Sequence, residues 1–378
     1  MGRMVALLAV ALVVGGCGTG SGVGGGDAKI ERVAETMPVA GPVLYGHLVA
    51  WGEGGEIEGD PIEHPLLVLV ASPRISPRVV HEQRLTKRRP MWWFGDLAAS
   101  PNLLVAGRRW GECDTGGSCG LNVGDAVVWT RPDSSDRLAP KPCGETPLEI
   151  RDLDVSGTRV AFTETFCVPQ GFQWRRVVDD VADDEAPLVL KTNYSGDVRL
   201  AGEFVAWRPF PGGDVVVFDL RRKRVSYRAH IPERESDIDL QADGKLVAAW
   251  TAGTFRKVAW YSAEHPSGHP VAVPPLRAHS GGIAIRLADD HIAFEGELSE
   301  GKSVLAVADL DGHTRRVASF DRLHRRVGDF DFDGKRLTWA SQHVLRYEKR
   351  CNAPPTYWQR RCWRRPIGPT TIYLAQLD

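Results

Sequence analysis

Residues Val198–Trp207 read VRLAGEFVAW. An alternating segment runs into a Gly turn and returns as V-A-aromatic. Period-2 alternation marks a half-buried strand, and Gly202 suits the positive φ of a tight turn. The phrase recurs through the chain. Taking its last residue as anchor, the copies end at Trp51 (GHLVAW), Gly107 (NLLVAG), Phe162 (GTRVAF), Trp207, Trp250 (GKLVAAW), Phe294 (DDHIAF) and Trp339 (GKRLTW). The last four intervals are about 43–45 residues and the first two about 55, and one four-stranded propeller blade needs roughly 40–45. The spacing predicts an all-β chain, a seven-bladed β-propeller of four-stranded antiparallel blades. An open stack of hairpins is the competing architecture.

Each copy has the same grammar. Strand a alternates, as in DLDVSG, DIDLQADG and DFDFDG. Strand b ends on a small residue before the anchor: Ala50, Ala106, Ala161, Ala206, Ala249, Ala293 and, in the last copy, Thr338. A small residue fixed on one face implies a close neighbouring blade. Strand c is a denser apolar run: LLVLVA from Leu66, AVVW from Ala126, PLVL from Pro187, VVVFDL from Val215, VAWY from Val258, VLAVADL from Val304 and TIYLAQL from Thr371. Strand d is shorter and more polar (PRVVHEQRL, SDRLAPK, KRVSYRAHI, HPVAVPPL, TRRVASF), and the third copy has no clear one. The last copy stops after its strand c. KIERVAETM at Lys29–Met37 is expected to supply the missing strand and close the ring, which removes open sheet edges.

The 378 residues carry a formal net charge of −1, so no global field recruits nucleic acid. Residues 1–17 read as a targeting segment. Arg3 is the positive n-region, and the apolar run Val5–Val14 is shorter than the roughly 20 residues of a membrane-spanning helix. Val14-Gly15-Gly16-Cys17 resembles a bacterial lipobox, which implies a lipid-modified Cys17; an ordinary secretory signal is the alternative. Residues 18–28 are Gly/Ser-rich and suit a flexible tether. The expected organisation is therefore a lipoprotein-type signal over 1–17, a tether over 18–28 and the propeller over 29–378. The expected location is the extracytoplasmic side of the cell membrane, with the chain lipid-anchored and monomeric.

Six cysteines remain beside Cys17, an even number that fits an exported disulfide protein. Proximity pairs Cys113 with Cys119 and Cys351 with Cys362, leaving Cys143 with Cys167. In a four-stranded meander, b–c and d–a loops share one face, and a–b and c–d loops the other. All six thiols are thereby expected on the b–c face. The same face is expected to collect basic and aromatic residues: Arg88, Arg89, Trp92 and Trp93 from the first d–a loop; Trp174, Arg175 and Arg176 from the third blade; and Tyr357, Trp358, Arg360, Arg361, Trp363, Arg364 and Arg365 from the last insertion. Aromatic and Arg side chains anchor binding hot spots, and Arg forks match carboxylate and phosphate. This points to an anionic or carbohydrate-rich envelope polymer, or an envelope protein. The competing reading makes these aromatics buried blade residues and the arginines solvated surface.

Catalytic signals are weak. Gly116–Gly120 matches G-x-S-x-G without the strand–turn–helix context of a nucleophile elbow. Asp329-x-Asp331-x-Asp333-Gly334 resembles the start of a Ca²⁺ loop, but Ala340 stands where the closing Glu belongs, and the stretch already reads as strand a. His265 and His269 flank a Pro/Gly turn. No metal ligand set and no cofactor are expected.

The phrases Asp243-Gly244-Lys245 with Trp250, and Asp333-Gly334-Lys335 with Trp339, resemble the TolB-type and WD-like β-propeller repeats of bacterial envelope proteins. The resemblance extends over the whole ring. Most copies lack the preceding Ser-Pro, and seven copies differ from the six blades of the TolB type. It implies a non-catalytic binding scaffold. The alternative is a propeller-based lyase or hydrolase acting on envelope polysaccharide, which requires a carboxylate–His or carboxylate cluster of perturbed pKa near the central funnel.

Overall fold

The computed structural model describes residues 28–36, 38–53, 66–83, 91–113, 119–131, 134–138, 150–169, 171–183, 185–190, 198–209, 213–232, 236–253, 255–276, 284–297, 302–321, 325–351 and 362–377. They form strands and turns only. Strand β1 (Lys29–Thr36) comes first. Blade one is β2 (Pro38–Tyr45), β3 (Leu48–Glu53), β4 (Leu66–Ser72) and β5 (Ile75–Gln83). Blade two is β6 (Met91–Ser100), β7 (Leu103–Cys113), β8 (Cys119–Arg131) and β9 (Ser134–Leu138). Blade three is β10 (Ile150–Ser156), β11 (Arg159–Val168), β12 (Gly171–Asp180) and β13 (Leu188–Leu190). Blade four is β14 (Val198–Ala201), β15 (Phe204–Trp207), β16 (Val215–Asp219) and β17 (Arg224–Ala229). Blade five is β18 (Ser236–Leu240), β19 (Leu246–Ala252), β20 (Phe255–Tyr261) and β21 (His269–Val271). Blade six is β22 (Ile285–Ala288), β23 (His291–Glu297), β24 (Lys302–Asp309) and β25 (Thr314–Asp321).

Blade seven is made from both ends of the chain. Its strands a and b are β26 (Arg325–Phe332) and β27 (Arg336–His343). A separate hairpin of β28 (Arg346–Cys351) and β29 (Cys362–Ile367) follows, then strand c, β30 (Thr370–Gln376). β1 is the outer strand, antiparallel to β30, with Lys29 opposite Gln376 and Thr36 opposite Thr370. The expected closure is present. Each strand a touches the next around the ring, from β2 through β6, β10, β14, β18, β22 and β26 back to β2.

The core is divided seven ways. Seven buried clusters each lie between two successive blades, and the cluster of Val33, Ala34, Trp51, Ile372 and Leu374 seals the closing interface. Alternation explains this: successive side chains of a strand point to opposite sheet faces, and each face meets a neighbouring blade. The anchors Trp51, Phe162, Trp207, Phe294 and Trp339 pack back onto the preceding blade, while Ala50, Ala161, Ala206, Ala249 and Ala293 face the following one, each fully buried. In blade six the two-residue a–b turn is Asp289-Asp290, with φ of 50° and 60°; Asp tolerates this left-handed region better than most residues.

Three expectations are corrected. Strand c of blade three is β12, and Leu188–Leu190 is strand d. The Gln173–Asp180 run QWRRVVDD has three apolar residues interrupted by an Arg pair, which reads as a loop although Val177 and Val178 are buried. Trp92 and Trp93 lie in β6, the strand a of blade two, not in a loop. The blade-two anchor is displaced by one. Leu103 pairs with Ser100, so Ala106 takes the aromatic position and faces blade one. Gly107 faces blade three, where a Cβ would stand 2.8 Å from Leu153 Cδ1.

Candidate binding face and polar inner ring

The b–c connections divide the ring into two arcs. In blades four, five and six, strand b ends at Trp207, Ala252 and Glu297 and strand c begins at Val215, Phe255 and Lys302. In blades two and three the b–c hairpins run on, until Cys113 stands opposite Cys119 and Val168 opposite Gly171. In blade seven the β28–β29 hairpin fills the same place, with Cys351 opposite Cys362. The long hairpins therefore share one face and sit on blades seven, two and three, on either side of blade one.

The register sets both proposed short cysteine pairs directly across from each other. Cys167 lies near the same end of β11, opposite Phe172. Cys17, Cys143, Arg88, Arg89, Tyr357, Trp358, Arg360 and Arg361 lie outside the described residues. Trp363, Arg364 and Arg365 belong to β29, opposite Arg350, Lys349 and Glu348. Trp92 and Trp93 stand opposite Trp110 and Arg109.

Blade three shows the side-chain chemistry of this face. The Arg151 guanidinium lies over the Trp174 ring, 4.5 Å from its centroid, a cation–π contact. Both residues are half-buried. Arg175 is engaged: Nε and Nη2 donate to Glu164 Oε1 at 2.7 and 2.6 Å, and its guanidinium covers Phe166 at 5.1 Å. Arg176 is not a surface residue. It is fully buried, donates to the Arg208 carbonyl and faces the Trp207 ring, tying blade three to blade four. Strand alternation places Arg175 and Arg176 on opposite faces of β12, so one of them had to enter the interface.

The inner strands carry a second polar system that the repeat search passes over. Blades three, five and seven have Asp-x-Asp in strand a (Asp152/Asp154, Asp237/Asp239, Asp329/Asp331), and blades four and six have Arg at the matching place (Arg199, Arg286). Apolar neighbours such as Leu200, Ile238 and Leu287 pack back on the preceding blade; the carboxylates reach forward. Leu200 N–H donates to Asp154 Oδ2 (2.7 Å), Leu287 N–H to Asp239 Oδ2 (2.5 Å) and Leu44 N–H to Asp331 Oδ2 (2.8 Å). Asp237 takes Ile285 N–H and Arg199 Nη2, and Asp96 takes Asp152 N–H. The signal legible beforehand was the D-x-D / R alternation between successive copies.

Burial raises the pKa of Asp154, Asp329 and Asp331, and that of Asp239 to about 7; Arg286 and, for Asp154 and Asp239, Arg199 act in the opposite direction. Perturbed carboxylates beside the axis are the pattern the enzyme reading asks for. Two of them are fully occupied: Asp154 and Asp331 each accept a backbone N–H on both oxygens, one from their own strand and one from the next blade. They act as clasps between blades.

Between blades one and two lies a buried ion pair. Arg108 Nε and Nη2 donate to Asp125 Oδ1 and Oδ2 at 2.9 and 2.8 Å, and Nη1 reaches Gln83 Oε1 and His81 Nε2 on the outer strand of blade one. Burial first, then the Arg108 charge, push His81 down to about 4, so its ring is neutral and accepts from Arg108. On the c–d side, Asp309, Asp311 and His313 bring ligand atoms within 4.8 Å of one another, but both Asp309 oxygens are taken by His313, through its backbone N–H and Nδ1. His265 and His269 pack edge-on and flat against Trp260 at 5.1 and 5.3 Å.

No family model and no curated protein matches this chain. Among solved structures, an acylaminoacyl peptidase of Pyrococcus horikoshii is similar with a TM-score of 0.54 at 11% identity, covering 92% of this chain and 52% of that one. A second crystal form of it gives 0.52 and 12%, covering 83% and 50%. A prolyl endopeptidase gives 0.54 and 10%, covering 89% and 50%. The chain spans about half the length of these solved chains. At such identities the likeness is one of fold. The chain is a seven-bladed β-propeller closed by its N-terminal strand.

Proposed function

We propose that the chain is a non-catalytic, exported propeller lipoprotein of the TolB-like kind, anchored through Cys17 on the extracytoplasmic side of the membrane. Its b–c face binds an anionic or carbohydrate polymer of the envelope, or an envelope protein. The observation that carries this reading is the grouping of overlong b–c hairpins on blades seven, two and three, with Arg151 stacked on Trp174 at the blade-three hairpin. Strands that overrun the ring contribute nothing to its closure, and extended ordered connections of this size are most often functional. The Arg-rich strand β29 and the neighbouring Arg360 and Arg361 give that face its preference for anions. Asp154 and Asp331, each held on both oxygens by backbone N–H groups, favour a structural role for the inner carboxylates over the lyase or hydrolase reading.

Retention on an immobilised polyanion tests the binding role. The full chain is expected to be retained on heparin-agarose at low salt. A variant with Arg360, Arg361, Arg364 and Arg365 all changed to Ala is expected to elute at clearly lower salt, with an unchanged melting curve. Equal elution of the two proteins would remove the basic hairpin from the site.

A further inference from the structure

The polarity of the closing strand says which side of the ring the chain enters from. Lys29 lies opposite Gln376 of β30, and Gln376 lies opposite Arg336 of β27. Arg336 follows directly on the a–b turn of blade seven, and Leu377 N–H donates to the Lys335 carbonyl of that turn. At the other end of the sheet Thr36 stands opposite Thr370, and Thr370 opposite Gln342, where the β28–β29 hairpin departs. The two ends are about 20 Å apart at roughly 3.3 Å per residue along a strand. The chain thus joins the ring on the a–b side, and the long hairpins leave from the opposite side.

That side carries both signs of charge: the a–b turns of four successive blades expose Glu203, Asp243, Asp289, Asp290 and Asp333, and the c–d turn of blade four exposes Arg221, Arg222 and Lys223. Cys17 is joined to β1 by residues 18–28, a stretch of sequence that reaches at most about 38 Å at 3.3–3.6 Å per residue. Turning the hairpin face onto the bilayer would use most of the extended reach.

We infer that the propeller is tethered by its a–b side, so that the hairpin face points away from the anchoring membrane and takes its partner from the envelope space instead of from the lipid surface. This rests on the lipid-anchor reading above.

The test uses the full lipidated chain in vesicles of phosphatidylcholine with phosphatidylglycerol, carrying a rhodamine headgroup dye. p-Azidophenylalanine is placed either at Arg221, in the exposed c–d turn of blade four, or at Gln173, exposed on the blade-three hairpin, and coupled to a donor dye. Higher energy transfer to the lipid from Arg221 than from Gln173 is expected, with little change when phosphatidylglycerol is omitted. Equal or higher transfer from Gln173, on a chain whose mass shows lipid on Cys17, overturns the orientation and makes the basic face a membrane-contact surface. A chain from the same cells with unmodified Cys17, or a Cys17→Ser variant that still sediments with the vesicles, overturns the anchor reading itself, and the orientation with it.

Discussion

Blades four to six and blades seven, two and three build the same four strands and spend them differently. In blades four to six, strands b and c end with the ring, and the polar side chains are consumed from blade to blade. Arg199 bridges to Asp237, Asp237 and Asp239 hold the backbone of β22, and Lys245 and Gln241 hold Asp290. In blades two, three and seven, the hairpins run past the ring. There the side chains answer to local pairing, as Arg175 does to Glu164, or stack as Arg151 does on Trp174. A strand that matches the ring's thickness has its chemistry dictated by neighbours; one that overruns it is released from the repeat. The short arc carries the fold, and the long arc carries what is particular to this chain.

The largest effects should fall on interfaces common to both arcs. Trp339→Ala removes a buried anchor between blades six and seven and should cost about 3–5 kcal/mol, read as a lowered denaturant midpoint. Arg108→Met should cost a similar amount, about 3–5 kcal/mol, because it leaves Asp125 charged and buried. If Trp339→Ala were as mild as a hairpin-surface change such as Gln173→Ala, the division into a bearing ring and a free face would be wrong. Asp239→Ala strands the Leu287 N–H and loosens Arg199, for an expected loss of about 1–3 kcal/mol in the same measurement.

For the proposed Cys113–Cys119 pairing, Cys113→Ser should cost about 2 kcal/mol for so short a loop, and an unchanged stability would count against the link. Peptide mapping without reductant should show Cys113 joined to Cys119 and Cys351 to Cys362; free thiols at these positions would refute the pairing. The pH response should differ between the short arc and the interface of blades one and two. Asp239 has its pKa raised in the folded ring, so its stabilisation is full below about 4, the unfolded value, and is lost as pH rises toward 7. His81 has its pKa lowered, so its contribution is full above about 6.5 and is lost as pH falls toward 4. Asp239→Asn should flatten the fall in urea midpoint between pH 5 and 7.5, and His81→Gln should flatten the fall below pH 6. The smallest effect is expected from Arg151→Ala, which loses one half-exposed cation–π contact of about 0.5–1 kcal/mol. It should weaken polyanion retention more than it lowers the melt.

The architecture was legible because a propeller repeats its constraints. Each blade needs a two-faced strand b, a turn that accepts positive φ and a small residue against the next blade, so Val-Ala-aromatic after Gly or Asp recurs at a fixed interval. The displaced copy at Leu103–Gly107 misled because Ala106 and Gly107 are both small, and pattern alone does not say which faces inward. Blade three misled because Arg176 looks like surface until a neighbouring blade covers it. The hairpin face was legible only in outline. Cys113, Cys119, Cys351 and Cys362 lie on hairpins of one side by chain topology, but Trp92 and Trp93 moved into a strand and Arg175 into an ion pair.

Periodicity and composition alone determined the number of blades, the source of the closing strand and the side on which the insertions emerge, because those follow from counting strands of fixed polarity. Only the tertiary structure decided which charged residues are free. Whether Asp239 is a catalyst or a clasp, and whether Arg176 is surface or core, depends on backbone N–H groups and aromatic rings supplied by the next blade. Those lie about 45 residues away in the chain and a few ångströms away in space.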